Sequence, residues 1–300
     1  MGMTLKEKYS AHFAKAIGVS RASATISEDT VYEEANMDAR RFMDPLINDN
    51  FLPGSGLNKI ENFKAFYDEV AHGGKSGLIL MEHYTNLDLP AICYLLERTG
   101  TDWGKDFSQR IVAVAGMKLN EENHFVRAFA EGFTRVIIYP TRSLEKLDGR
   151  TDAEKIDEEK KARKINFAAM HAMNDCKKRG QIILVFPSGT RYRPGRPETK
   201  RGLPEIDSYL RLFDLMLPVS INGNCLRINP DAPDDMLMDI VTPDVITLTA
   251  HEPIACKPFR TAILDALPAN SQNPKQATVD RVMAILAHQH DEVERTHPAP

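Results

Sequence analysis

The chain has no long apolar run, and this gives the first exclusion. No uninterrupted apolar stretch in its 300 residues approaches the ~20 residues that span a bilayer. Residues 1–10 hold no hydrophobic signal-peptide core. A cytoplasmic location is therefore expected, with peripheral membrane contact allowed. Cysteine is scarce. Cys93, Cys176, Cys225 and Cys256 lie far apart and form no Cys-x-x-Cys pair. That spacing excludes a zinc-ribbon pattern and a disulfide framework, and each thiol is expected to fill core space. A strong charge of either sign is missing as well. The net charge of -4 gives no global pull towards nucleic acid or an anionic surface, so any anion site must be a local cluster of Lys and Arg. Carboxylates at metal-ligand spacing are also lacking, which argues against a metal-dependent phosphohydrolase. Internal repeats and low-complexity segments are absent.

What is present is ordinary for a globular chain, with 42% apolar and 27% charged residues. Three hundred residues fit one large α/β unit with an appendage. Residues 1–40 read as an N-terminal helical segment in two pieces, one lined by Leu5, Tyr9 and Phe13, the other marked by Val31, Ala35 and Met37. Residues 41–300 read as the α/β domain. Strands are expected at 78–81, 111–115, 135–139, 181–186, 217–221 and 245–248. Helices are expected at 58–72, 125–130, 151–178 and 278–294. Thr151 with Glu154 reads as a capping box, and Gly180 as a C-terminal stop. Pro218 inside an apolar strand restricts that strand to an edge or makes the proline its start. The alternation predicts an α/β fold with a mixed, mostly parallel central sheet flanked by helices, and a short N-terminal helical segment. Ligands of such sheets bind outside the carboxyl ends of the strands.

Polar clusters follow those strand ends. His83 follows the first strand, and Asp88 comes five positions later, before Leu89-Pro90 and an apolar-periodic segment. Two readings stand side by side. Asp88 caps a helix and His83 is a surface residue, or the two face each other across the turn as the general-base half of a triad that lacks its own serine. Phe186-Pro187-Ser188-Gly189-Thr190-Arg191-Tyr192-Arg193 follows the most strand-like run. The Ser188-Gly189-Thr190 turn offers N–H groups and hydroxyls to an anion, and Arg191 and Arg193 add guanidinium groups suited to phosphate. A solvated loop with surface ion pairs is the alternative. Arg142, in Thr141-Arg142-Ser143, is a third candidate phosphate ligand, and Lys118 a fourth.

In content and order these clusters resemble the glycerolipid acyltransferases. That family carries a His-x4-Asp block, a block ending in a basic residue after a strand, a Phe-Pro-Glu/Ser-Gly-Thr-Arg block and an apolar-Pro-Val block. Here they fall at His83 to Asp88, Gly132 to Arg142, Phe186 to Arg191 and Leu217 to Ile221, within residues 41–230. The Ser188 and Arg193 positions look most like the soluble, plastid-type glycerol-3-phosphate acyltransferases, whose third block reads Pro-Ser-Gly-Gly-Arg-Asp-Arg-Pro. Three departures stand out. A Lys-Lys-His cluster is reduced to Arg142, about forty residues precede the matching region where the plastid enzymes have more, and Glu82 stands where the family has Asn or Ser before the histidine.

The resemblance implies a glycerol-3-phosphate acyltransferase-like fold and an O-acyltransferase of phospholipid biosynthesis. It would move a fatty acyl group from acyl carrier protein or acyl-CoA to the sn-1 hydroxyl of glycerol 3-phosphate. His83 would be the base, Asp88 its orienting partner, and Arg142, Arg191 and Arg193 would hold the acceptor's phosphate. No metal and no organic cofactor is called for. Acylation of lysophosphatidic acid is the alternative within the same chemistry. A non-catalytic phospholipid-binding protein on the same fold is the alternative outside it.

Overall fold

The computed structural model describes residues 2–23, 25–117, 119, 124–144, 151–268 and 270–296. The chain is α/β, with a mixed, mostly parallel central sheet flanked by helices and a short N-terminal helix, α1 (Leu5–Val19). Among the described residues the first strands are β1 (Tyr32–Glu33), β2 (Gly56–Asn58), β3 (Gly77–Met81), β4 (Ile111–Gly116), β5 (Arg135–Ile138) and β6 (Ile182–Val185). They are followed by β7 (Leu215–Asn222), β8 (Leu226–Arg227), β9 (Ile240–Val241), β10 (Thr247–Ala250) and β11 (Ile254–Ala255). The helices that matter below are α2 (Ile60–Ala71), α3 (Asp88–Glu97), α4 (Asp152–Lys178) and α5 (Pro274–Thr296).

Contacts divide the chain into two compact units. The first comprises Met1–Lys8, Leu46–Ile111 and Gly180–Pro300; the second comprises Tyr9–Pro45 and Val112–Arg179.

In the first unit the strand order is β6-β3-β7-β10-β2. β3 is parallel to both β6 and β7, while β10 is antiparallel to β7 and parallel to β2. Every residue of β3 and β6 is buried. That explains their unbroken apolar sequence, since a strand covered on both faces needs no polar alternation. α5 packs along β7 with Val279, Val282 and Leu286 buried.

β7 corrects one expectation. It lies inside the sheet, and Pro218 is neither at an edge nor at its start. The physical reason is a change of partner. β7 pairs with β11 at Leu215–Met216 and with β10 from Val219 onward, so Pro218 faces the break between them. Its carbonyl accepts from His251 N at 2.9 Å, and the missing N–H points to the same side, where the ladder is interrupted.

In the second unit β4 is parallel to β5, and β1 is antiparallel to β5. The segment around residues 31–37 is therefore not the helix its spacing predicts. Tyr32 and Glu33 pair with Val136 and Arg135, and the Glu33 carboxylate accepts from buried Arg135 Nε at 2.8 Å. Asn36 then caps a short helix, Met37–Arg40. α4 matches its expected start: Thr151 and Glu154 form a reciprocal capping box, and Gly180 adopts the left-handed φ of 67° just past its end. The four cysteines are buried, as core filling requires.

Candidate active site

The site is built where β3 runs out. Helix α3 begins at Asp88, and the residue before it, Leu87, makes no side-chain cap. The Asp88 carboxylate turns back over the preceding turn instead of forward onto its own helix. It accepts from His83 Nδ1 at 2.9 Å, from the N–H groups of Tyr84 (2.6 Å) and Thr85 (2.9 Å), and from Thr85 Oγ1 (2.8 Å). Four donors converge on one buried carboxylate, so the turn is folded around Asp88. His83 and Asp88 thus face each other across the turn, and Asp88 caps nothing downstream.

His83 is held on two further sides. Its ring stacks on Phe186, just past β6, with centroids 4.0 Å apart and planes at 14°. Its carbonyl accepts from Tyr192 N at 2.7 Å. With Nδ1–H donating to Asp88, Nε2 carries the lone pair. Nε2 has no hydrogen-bond partner among the described residues, and the side chain retains 17% exposure. A histidine with one nitrogen tied to a carboxylate and the other open is arranged to take a proton.

The 186–193 loop sits beside it because β6 pairs with β3 in parallel, which places the ends of both strands together. Gly189 is required here: its φ is 63°, and a Cβ would lie 2.5 Å from Leu203 Cδ1. Ser188 is buried and its hydroxyl donates to Thr190 O at 2.7 Å, while Gly189 N donates to Phe186 O at 2.9 Å. These groups shape the turn. Gly189→Ala is expected to cost about 1–3 kcal/mol from backbone strain and the clash with Leu203. Chemical denaturation of the two proteins measures this, and an unchanged midpoint would contradict it.

Both arginines of the loop meet carboxylates. Arg191 is buried and forms an ion pair with Asp239, which is fully buried. Burial pushes Asp239 up to about 6 even though Arg191 pulls the other way. Arg193 Nη1 donates to Asp234 Oδ1 at 2.5 Å, but Asp234 is a surface residue with 81% exposure. Arg191 is thus tied to a buried carboxylate, and the mostly buried Arg193 to an exposed one. Arg142 lies in the second unit, in the short helix Thr141–Leu144, and its side chain is outside the described set. Lys118 lies outside the described residues.

Sequence reading missed a second histidine–carboxylate pair. The Glu82 carboxylate accepts from Ile221 N (2.9 Å), His290 Nδ1 (3.0 Å) and Tyr84 OH (3.2 Å). The side chain of Glu82 thereby extends the β3–β7 ladder one step beyond Met81 and anchors α5 to the turn. Tyr84 stacks on His290 at 5.4 Å, meets Tyr192 edge-on at 5.8 Å, and Lys200 Nζ lies 4.4 Å from the Tyr192 ring centre. Burial, and then the Glu82 charge, push the Tyr84 phenol well above its usual range, so it acts as a neutral donor. The only local signal was Glu82 standing where the resembling family has Asn or Ser.

This cluster has a pH signature. Burial works to lower the pKa of His290, and Glu82 more than offsets it, leaving a net rise above 6.5. The pair's stabilisation is then fully present below pH 6.5 and is lost as pH rises through the raised value. The stability difference between the protein and His290→Ala should therefore shrink as pH increases. Urea titrations across this range test it, and a difference independent of pH would remove the ion pair from the account.

Among the described residues no group of three or more His, Cys, Asp or Glu is placed to hold a metal ion. A cavity of about 350 Å³ lined by Lys59, His251, Arg281 and His288 includes no residue of the His83–Asp88 turn or of the 186–193 loop. Comparison with protein-family models and with curated proteins gives no match to this chain.

Proposed function

We propose that the chain is an acyltransferase that moves an acyl group from a thioester to a hydroxyl of glycerol 3-phosphate. The observation that carries this reading is the His83–Asp88 pair, whose Nε2 has no partner among the described residues, set beside an arginine-bearing loop at the ends of two parallel strands. The order of the sequence blocks supports the same reading. His83 Nε2 takes the proton of the sn-1 hydroxyl as its oxygen attacks the thioester carbonyl. The tetrahedral intermediate collapses, the C–S bond breaks, and the thiolate leaves with the proton that His83 returns. The acceptor is the nucleophile, so no serine of the enzyme is needed. Arg193 exchanges Asp234 for the acceptor's phosphate, and this fixes the hydroxyl near His83. Neither a metal nor an organic cofactor has a step in this chemistry.

Thiol release settles the acceptor and the donor together. Glycerol 3-phosphate and lysophosphatidic acid are each supplied with acyl-CoA or acyl carrier protein. Release dependent on glycerol 3-phosphate is expected. Release dependent on lysophosphatidic acid alone would shift the acceptor one step along. Binding of either acceptor without thiol release would favour a non-catalytic phospholipid-binding protein.

A further inference from the structure

Helix α4 carries apolar side chains on two faces. Ala162, Ile165, Ala169, Met173 and Cys176 are buried. Ile156, Phe167 and Met170 are 52%, 60% and 51% exposed, and they do not belong to that core. Steps of three and four residues bring Ile156, Lys160, Arg163, Lys164, Phe167 and Met170 onto one outward stripe. Between residues 156 and 170 the stripe is about 21 Å long at the rise of an α-helix. Residues 160–171 hold four cations and no carboxylate. Acidic partners lie just before: Asp157 is 3.5 Å from Lys160 and Glu159 is 3.6 Å from Arg163, at solvent-exposed positions, while Lys161, off the stripe, is 3.9 Å from the half-buried Glu158. Pairs of this kind contribute little and leave the cations available.

We infer that this face of α4 docks on an anionic lipid bilayer. A convex helix face with apolar side chains standing among lysines and arginines needs no complementary groove. It lays the apolar groups below the headgroups while the long cations reach up to the anionic lipids. The charge complementarity and the exposed Phe167 and Met170 together favour a bilayer over an acidic protein partner, which would offer charge but would need a fitted apolar pocket. The inference does not depend on the acyl-transfer reading, because docking is measured without substrate.

The test is co-sedimentation of the full chain with phosphatidylcholine vesicles, with and without phosphatidylglycerol. Sedimentation is expected only with the anionic vesicles, and it should fade at high salt. Lys160→Gln with Lys164→Gln should weaken partitioning by about thirtyfold, at the usual contribution of each cation near a charged bilayer. Phe167→Ser with Met170→Ser should abolish it. All four positions are exposed, so circular dichroism of the variants should match the parent. A Phe167→Trp variant reports insertion directly, by an emission blue shift on anionic vesicles. The inference is overturned if the parent stays in the supernatant, if the Ser variants sediment equally well, or if an acidic carrier protein binds this face and vesicles do not.

Discussion

His83→Ala is expected to lower thiol release from the acyl donor by about two to four orders of magnitude, the usual value of a positioned general base. The fold should survive, because the imidazole is only partly buried and Asp88 keeps three other donors from Tyr84 and Thr85. Binding of glycerol 3-phosphate, which the account gives to Arg193, should be little changed. Asp88→Asn is the companion variant. Asn keeps an acceptor oxygen but puts donor hydrogens where the carboxylate received four bonds, so it should disturb both the orientation of His83 and the turn. A His83→Ala protein with near-parental turnover would remove the histidine from the chemistry. One that fails to fold would make the His83–Asp88 contact structural.

Arg191→Ala is expected to have the larger effect on stability, a loss of about 3–5 kcal/mol, because it leaves Asp239 buried without its counter-ion. The pH dependence separates this from a simple loss of contacts. Burial already holds Asp239 near 6, and without Arg191 it moves higher. A carboxylate whose folded value is raised favours the folded state when protonated, so the variant should recover stability as pH falls through that raised value, in the opposite direction to a carboxylate in a favourable pair. Replacing both partners with apolar residues should restore much of the loss. Urea midpoints at neutral and acidic pH measure this. If Arg191→Ala raised only the Michaelis constant for the acceptor and left the midpoint unchanged, Arg191 would be a ligand for phosphate and Asp239 a bystander.

How much was legible in the sequence depended on distance along the chain. His83 and Asp88 are five residues apart, and a short turn has few ways to arrange them, so their pairing could be anticipated. α4 announced both its ends through Thr151, Glu154 and Gly180, because caps are local. β3 and β6 could be read from their unbroken apolar runs. The order of strands in the sheet could not be read, and with it went the place of Pro218, whose position depends on where β11 gives way to β10. β1 was unreadable for the same reason: two residues, Tyr32 and Glu33, become a strand through Arg135 and Val136, a hundred positions away.

The site divides in the same way. The loop after Phe186 was visible as a loop with two arginines, but not the fate of each. Asp239 and Asp234 lie more than forty residues further on, and they pair one arginine with a buried carboxylate and the other with an exposed one. The Glu82–His290 pair spans 208 positions, and neither residue stands out in its own segment. Glu82 looked like a departure from the resembling family. Its place in the fold is as the clamp that ties β7 and α5 to the turn bearing His83.

The most direct test of the account is acceptor-dependent thiol release by the unaltered protein, followed as free thiol from an acyl thioester with glycerol 3-phosphate added or withheld. Release is expected to saturate with glycerol 3-phosphate, to yield a monoacylated glycerol phosphate in equal amount, and to be lost in His83→Ala. Release that ignores the acceptor, or no release with either glycerol 3-phosphate or lysophosphatidic acid, would contradict it.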